Sequence, residues 1–261
     1  MDRMERELPS FEAPFPTGLD EIVEALLGDG PIPSAVIAMT QDPEWIAARA
    51  AAEQLLRAKD WPNLGRYEQR NTELAASAIR PSLVFMGDSI SELWPLADLG
   101  LLRPGWICRA ISGQTAPQML LRFQADVLAH QPRAVHLLAG SNDIGGNTGP
   151  TTSYRYQCAM LSMVQLARAN DIQVLLGLIP PCAARLGRPD LAPAPWVAEL
   201  NDALRTLALE QDCILVDYHA ALDDGAGGLR PDCSQDGLHP NRRGYARMRA
   251  VLEPVVERLG L

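Results

Sequence analysis

No apolar run in the 261 residues approaches the roughly 20 positions of a membrane-spanning helix, and mean hydropathy is slightly negative, at −0.05. The sequence therefore reads as that of a soluble protein. It also lacks any cysteine framework: Cys108, Cys158, Cys182, Cys213 and Cys233 are odd in number and form no Cys-x-x-Cys pair. That argues against a disulfide scaffold or a zinc cluster and for a reducing compartment. Cys108 and Cys213 fall in apolar runs and read as buried small hydrophobes. Positive charge is short: 23 Lys and Arg face 32 Asp and Glu, a net −9. Nucleic acid and anionic membrane surfaces are thus disfavoured as partners, and Arg242-Arg243 reads as solvated charge at a helix start. Met1 to Glu12 hold no apolar stretch, so no secretory leader is read and a cytoplasmic location is expected. The four histidines share no metal-ligand spacing, and neither metal nor cofactor is expected.

What is present is a hydrophobic content of 47%, enough to fill a substantial core. Residues 1 to about 33 are rich in Pro, Gly and acid, with one short helical candidate at Asp20 to Leu27, and read as an arm. From Asp42 to about Ala76 the spacing of Trp45, Ala48, Ala52, Leu55 and Leu56 is helical, and Asp42-Pro43-Glu44 resembles a capped start. Residues 1–78 are thus expected to be an extension that packs on a catalytic domain of residues 79–261, with oligomerisation through it left open.

After Pro81 the pattern alternates. Strand candidates are Leu83 to Met86, Trp106 to Ile111, Ala134 to Ala139, Gln173 to Ile179 and Ile214 to Tyr218. Helical patterns run over Pro117 to His130, Tyr154 to Asn170, Pro195 to Gln211 and about Arg243 to Leu259. Buried-type strands separated by helices predict an α/β fold with a five-stranded, doubly wound parallel sheet, helices on both faces. In such sheets ligands bind beyond the carboxyl ends of the strands. The polar clusters fall there: Gly87-Asp88-Ser89-Ile90 after the first strand, Ser112-Gly113-Gln114-Thr115 after the second, Gly140-Ser141-Asn142-Asp143 after the third, and Asp236-Gly237-Leu238-His239 before the last helix.

These are the parts of serine ester hydrolysis. A serine hydroxyl needs a base to take its proton, and the base needs a carboxylate to fix its tautomer. Ser89, His239 and Asp236 can fill these roles. The oxyanion of a tetrahedral intermediate needs converging donors, for which the Ser89 N–H, the Gly113 N–H and the Asn142 amide are candidates. Asp88 reads as a brace for the turn. A helix-capping role for Ser89 and a turn-forming role for Asn142 are the bland alternatives. His130 reads as a helix-end cap, His136 as a satisfied core residue and His219 as structural. Trp94, Pro180-Pro181 and Trp196 read either as pocket lining or as core.

The four blocks, in this order, resemble the SGNH hydrolase superfamily, the GDSL esterases and lipases, over roughly residues 80 to 259. The resemblance implies a flavodoxin-like α/β/α sandwich, with Ser89 as nucleophile, His239 as general base, Asp236 orienting it, and Ser89, Gly113 and Asn142 as the oxyanion hole. Ile90 stands where the GDSL name has leucine, and Ile111-Ser112-Gly113-Gln114-Thr115 is a loose version of the second block. A small-molecule ester substrate is implied, such as an acetylated carbohydrate or an aryl ester. The loop from Cys182 to Pro195 is too short for a large lid, which favours an open site and short acyl groups. Acyl transfer through the same acyl-enzyme, and a vestigial binding module of the same fold, are the competing readings.

Overall fold

The computed structural model describes residues 13–77, 79–184 and 190–261. The first twelve residues of the arm read from 1 to about 33, and the middle of the Cys182 to Pro195 loop, lie outside the described residues. In chain order, the elements are α1 (Leu19–Leu27), α2 (Ser34–Gln41), α3 (Pro43–Lys59), α4 (Glu68–Ala76), β1 (Leu83–Gly87), α5 (Ser89–Ala97), β2 (Trp106–Cys108), α6 (Ala116–Asp126), β3 (Ala134–Leu138), α7 (Ser141–Ile144), α8 (Ser153–Ala169), β4 (Gln173–Gly177), α9 (Ala194–Glu210), β5 (Ile214–Val216), α10 (Tyr218–Leu222) and α11 (Arg242–Leu259).

The five strands form one parallel sheet in the order β2-β1-β3-β4-β5. Chain direction across the sheet reverses between β1 and β3, and that switch point opens the crevice where ligands bind. Alternation along each strand divides the core into two layers. Val84, Met86, Val135, Leu137, Val174 and Leu176 pack with Met119 and Phe123 of α6, Met160 of α8 and Leu200 and Leu204 of α9. Leu83, Phe85, Leu138, Leu175 and Val216 pack on the other face with Trp94 of α5, Tyr218 of α10 and Tyr245 and Met248 of α11. The result is the three-layer α/β/α sandwich expected from the strand pattern.

Some elements differ from their sequence patterns. β2 ends at Cys108, not Ile111, because it is an edge strand. Arg109 and Ile111 still donate N–H bonds to Phe85 O and Gly87 O, but the chain then turns at Ser112-Gly113. Tyr218 starts α10 instead of ending β5, since Asp217 caps it by accepting the Ala220 N–H at 2.9 Å. α2 was not anticipated: Ala35 to Met39 is continuously apolar and gives no amphipathic period, and none of its residues is buried. α3 begins as read, with Asp42 accepting from the N–H groups of Glu44 and Trp45 and Pro43 in the first turn.

Trp94 is core, not pocket lining. It is fully buried, its ring 5.8 Å from Tyr245 and edge-on to Phe85 and Tyr218 at 5.9 and 5.7 Å. His136 lies in the same cluster and is only half satisfied. Its Nε2 pairs with the Tyr218 hydroxyl at 2.8 Å while Nδ1 has no partner, and burial lowers its pKa to about 3, so the ring stays neutral. His130 caps the end of α6 as read, its ring bonding the Ala125 backbone carbonyl. It sits in a 3-10 turn (Leu128–His130) and bonds Asn71 Oδ1 at 3.0 Å. Cys108 and Cys213 are half-buried, short of the full burial expected, and burial raises both thiols to about 11. Arg242 and Arg243 are exposed at the start of α11 as read, and also pair with the exposed Glu24 and Asp29 at 2.9 and 3.5 Å.

Candidate active site

The first polar block is built by the β1–α5 turn. Gly87 has no room for a side chain, since a Cβ there would meet Ser91 Oγ at 2.3 Å and Leu138 O at 2.8 Å. Asp88, not Ser89, caps α5: its Oδ1 accepts the Ile90 N–H at 2.9 Å, and its carbonyl accepts from Ser91 and Glu92. The Ser89 hydroxyl is thereby left free of capping duty. Ser89 Oγ lies 2.9 Å from His239 Nε2 across a sequence separation of 150 residues.

The histidine block is a self-contained turn. Asp236 Oδ1 accepts the Leu238 and His239 N–H groups at 2.9 and 2.8 Å, and Oδ2 pairs with His239 Nδ1 at 2.7 Å. Gly237 takes φ +78°, a conformation that favours glycine, and donates its N–H to Ser234 Oγ at 3.0 Å. Burial alone would raise the Asp236 carboxyl, but the bonds from the His239 ring and from the two backbone N–H groups outweigh it and hold it at about 2. Asn241 caps α11 through the Gly244 N–H and donates to Asp232 O, which anchors the turn from behind.

The second block forms a turn from Ile111 to Gln114, closed by Gln114 N–H to Ile111 O at 3.3 Å, with Gly113 at φ +80° in the position that calls for glycine. The Ser112 N–H is held by Glu92 Oε2 at 2.6 Å. Among the described residues, neither the Ser89 N–H nor the Gly113 N–H has an acceptor. In the third block Asn142 is 3% exposed and donates one Nδ2 proton to Gln114 O at 3.1 Å. Asp143 turns away from the others, receiving the Ala116 N–H at the start of α6 at 3.1 Å, and burial raises its carboxyl to about 7.

All the residues singled out for chemistry are therefore gathered at the carboxyl ends of β1, β2 and β3 and on the loop before α11. A serine hydroxyl, imidazole and carboxylate in hydrogen-bonded series can move a proton from oxygen to Nε2 and steady the resulting imidazolium. Among the described residues no group of three His, Cys, Asp or Glu side chains is arranged to hold a metal ion.

The sequence-family comparison is decisive. Residues 85–247 match the GDSL-like Lipase/Acylhydrolase family model. The chain belongs to that family. It is thus an SGNH hydrolase and a carboxylic ester hydrolase. The hydrolase is similar to the structure of an acylhydrolase candidate from Bacteroides fragilis, at 37% identity and TM-score 0.72, covering 77% of this chain and 99% of that one. It is also similar to a GDSL-like lipase from Bacteroides thetaiotaomicron, at 33% identity and TM-score 0.71, with 77% and 100% covered. A catalytic mutant of an acetylxylan esterase from Geobacillus stearothermophilus shares the fold at 19% identity and TM-score 0.53, with 66% and 92% covered. Compared with curated proteins by sequence, the hydrolase has no match.

Several residues around the site were not singled out from sequence: Glu92, Gln114, Arg122 and Asn147. Gln114 Nε2 donates to Pro62 O at 2.8 Å and its Oε1 accepts from Arg122, which is itself fully buried and paired with Asp126 at 2.8 Å. An Arg-Asp pair spaced by four on the apolar side of a helix was the available signal for this network.

Next to the site is a small apolar cavity of about 10 Å³ lined by Ser141, Ile144, Cys182, Leu191, Pro193, Val197 and Leu238, between the segments that carry Asn142 and His239. Ile144 also lines a larger cavity, about 220 Å³, with Tyr156, Leu200 and Trp196, whose ring is half exposed. Of the sequence candidates for pocket lining, Trp196 stands by a cavity, while Pro180 and Pro181 are buried. No helix among the described residues is long and apolar enough to cross a membrane.

Proposed function

We propose that this carboxylic ester hydrolase removes short acyl groups, acetyl above all, from small-molecule esters through an acyl-enzyme on Ser89. The observation that carries the reading is the unbroken series from Ser89 Oγ to His239 Nε2 at 2.9 Å and from His239 Nδ1 to Asp236 at 2.7 Å. As the Ser89 oxygen bonds to the ester carbon, its proton passes to Nε2, and Asp236 holds the ring in the tautomer with Nε2 open. The carbonyl oxygen takes up the negative charge and is met by the Ser89 N–H, the Gly113 N–H and the second Nδ2 proton of Asn142. Collapse breaks the ester C–O bond, with the Nε2 proton going to the departing alcohol. Water then attacks the acyl-enzyme and gives its proton to Nε2, and collapse breaks the bond from the acyl carbon to Ser89 Oγ, which takes the Nε2 proton back as the acid leaves.

The smallness of the cavity between the segments that carry Asn142 and His239, about 10 Å³ or room for one water-sized probe, supports a short acyl group over a long one. We also take residues 79–261 as the catalytic domain and residues 1–78 as an extension of it. A fluorophosphonate probe tests the nucleophile: labelling of the wild type and none of Ser89→Ala is expected, with esterase activity lost in the variant. An unlabelled wild type would overturn the acyl-enzyme. On p-nitrophenyl acetate, butyrate and octanoate, turnover should fall with chain length, and preference for octanoate would reject the short-acyl assignment.

A further inference from the structure

Asn147 stands at the one point where two of the proposed oxyanion donors meet, and it belongs to none of the four sequence blocks. Its Nδ2 donates to Gly113 O at 3.0 Å and to Asn142 Oδ1 at 2.8 Å. Both protons of the amide are thereby used, one on the second-block backbone and one on the third-block side chain. The side chain is anchored in turn, since the Asn147 N–H donates to Asn142 O at 3.1 Å and the next residue, Thr148, bonds the Thr115 hydroxyl at 3.2 Å.

The consequence for Asn142 is geometric. Its Oδ1 faces an Asn147 proton and its Nδ2 faces Gln114 O. Reversing the Asn142 amide would set oxygen against oxygen at Gln114 and nitrogen against nitrogen at Asn147, so one orientation survives, with the second Nδ2 proton directed away from Gln114. The consequence for Gly113 is similar. Glu92 holds the Ser112 N–H at 2.6 Å on one side, and Asn147 holds the Gly113 carbonyl on the other. A glycine at φ +80° has no side chain to hold it there, so these two bonds restrain the peptides on either side of the one that carries its N–H.

We propose that Asn147 is a positioning residue for the oxyanion hole: it locks the Asn142 amide and the Gly113 peptide into a single donor array and acts on the reaction only through them. This rests on the assignment of Ser89, Gly113 and Asn142 made above. Donors fixed before reaction act without reorganisation in the transition state, so loosening them costs turnover, not ground-state binding.

The test is a double-mutant cycle on p-nitrophenyl acetate with Asn147→Ala, Asn142→Ala and the pair, accompanied by Asn147→Asp, which keeps the shape but cannot donate. Asn147→Ala should lower kcat roughly 10- to 100-fold with KM within about twofold, less than the ~10²–10³ of deleting an oxyanion donor outright. In the Asn142→Ala background the same change should cost much less, a few-fold at most, because one of the donors it positions has gone. Asn147→Asp should lose at least as much kcat as Asn147→Ala. Effects that multiply independently in the cycle, a change in KM alone, or full kcat in Asn147→Asp would each overturn the proposal. Thermal melts of all variants identify a loss caused by misfolding, which would replace the Ala variant by the Asp variant as the deciding measurement. If Ser89→Ala kept its activity, the parent assignment would fall as well, whereas an inactive Ser89→Ala beside a fully active Asn147→Asp would reject this inference alone.

Discussion

Asp236 divides its work between its two oxygens. Oδ1 shapes the turn by taking two backbone N–H groups, and Oδ2 meets the His239 ring. Asp236→Asn can keep the first set of bonds through its remaining oxygen, but it presents an amide N–H to Nδ1 and favours the wrong tautomer. We expect kcat to fall on the order of 10³- to 10⁴-fold with the fold preserved, as read by ester turnover and circular dichroism. A near-full rate would mean that another group orients His239. The carboxyl also bears on stability. It sits at about 2 in the native state, below the roughly 3.9 of a solvated aspartate. Its contribution, on the order of 2 kcal/mol, is complete above about pH 4 and lost as pH falls toward 2. Denaturation between pH 6 and pH 3 should therefore narrow the gap between wild type and Asp236→Asn. A second prediction at this scale concerns Ile144, which lines both the small cavity and the larger one. Ile144→Ala should join them and raise butyrate and hexanoate turnover relative to acetate. An unchanged chain-length profile would show that Ile144 does not bound the acyl group.

At the scale of elements, the strand ends hold the candidate site residues and the turns after them set their geometry. β1, β3 and β4 were legible because central parallel strands are mainly apolar: Leu83 to Met86 is wholly so, and Ala134 to Ala139 is interrupted only by His136. The edge strands β2 and β5 end earlier than their apolar runs, and α10 goes unread, because a backbone turn and an Asp cap leave the apolar pattern unbroken. Ser89 and the Asp236 turn could be picked out, since type and spacing suffice for both. Asn147 could not, because its meaning lies in two long-range acceptors that a loop composition of Asn and Gly does not reveal. Asp143 at the head of α7 makes an element-scale prediction. Burial raises its carboxyl to about 7, well above its unfolded value near 3.9. The native state thus holds the proton more tightly, and stability falls as pH rises from about 4 to about 7. Asp143→Asn should flatten that slope while keeping an oxygen for the Ala116 N–H. Parallel stability curves for the two proteins over this range would show that Asp143 is not strained by ionisation.

For the molecule as a whole, the segment before β1 is fastened at both rims of the site. Leu27 is fully buried beside Tyr245 and its neighbours, and Gly28 O accepts from Gln235, the residue before Asp236. On the other rim, Pro62 O and Trp61 O accept from Gln114 and Gln118, and the Tyr67 hydroxyl donates to Ala110 O at 2.6 Å. The helical period of α3 could be read from sequence, but these fastenings could not, since they join main-chain carbonyls to side chains far along the chain. Leu27→Ala should cost about 2 to 5 kcal/mol, measured by urea denaturation, and a loss below ~0.5 kcal/mol would show that α1 contributes little to the core. The 150 residues between Ser89 and His239 have a consequence for folding. This hydrogen-bonded pair joins the start of the sheet to the loop before the final helix, so no fragment of the chain released early from a ribosome contains both. Long-range pairing of this kind is slow to form. On refolding, esterase activity should return with the slowest phase, after helical dichroism, making turnover a reporter of the last closure of the chain.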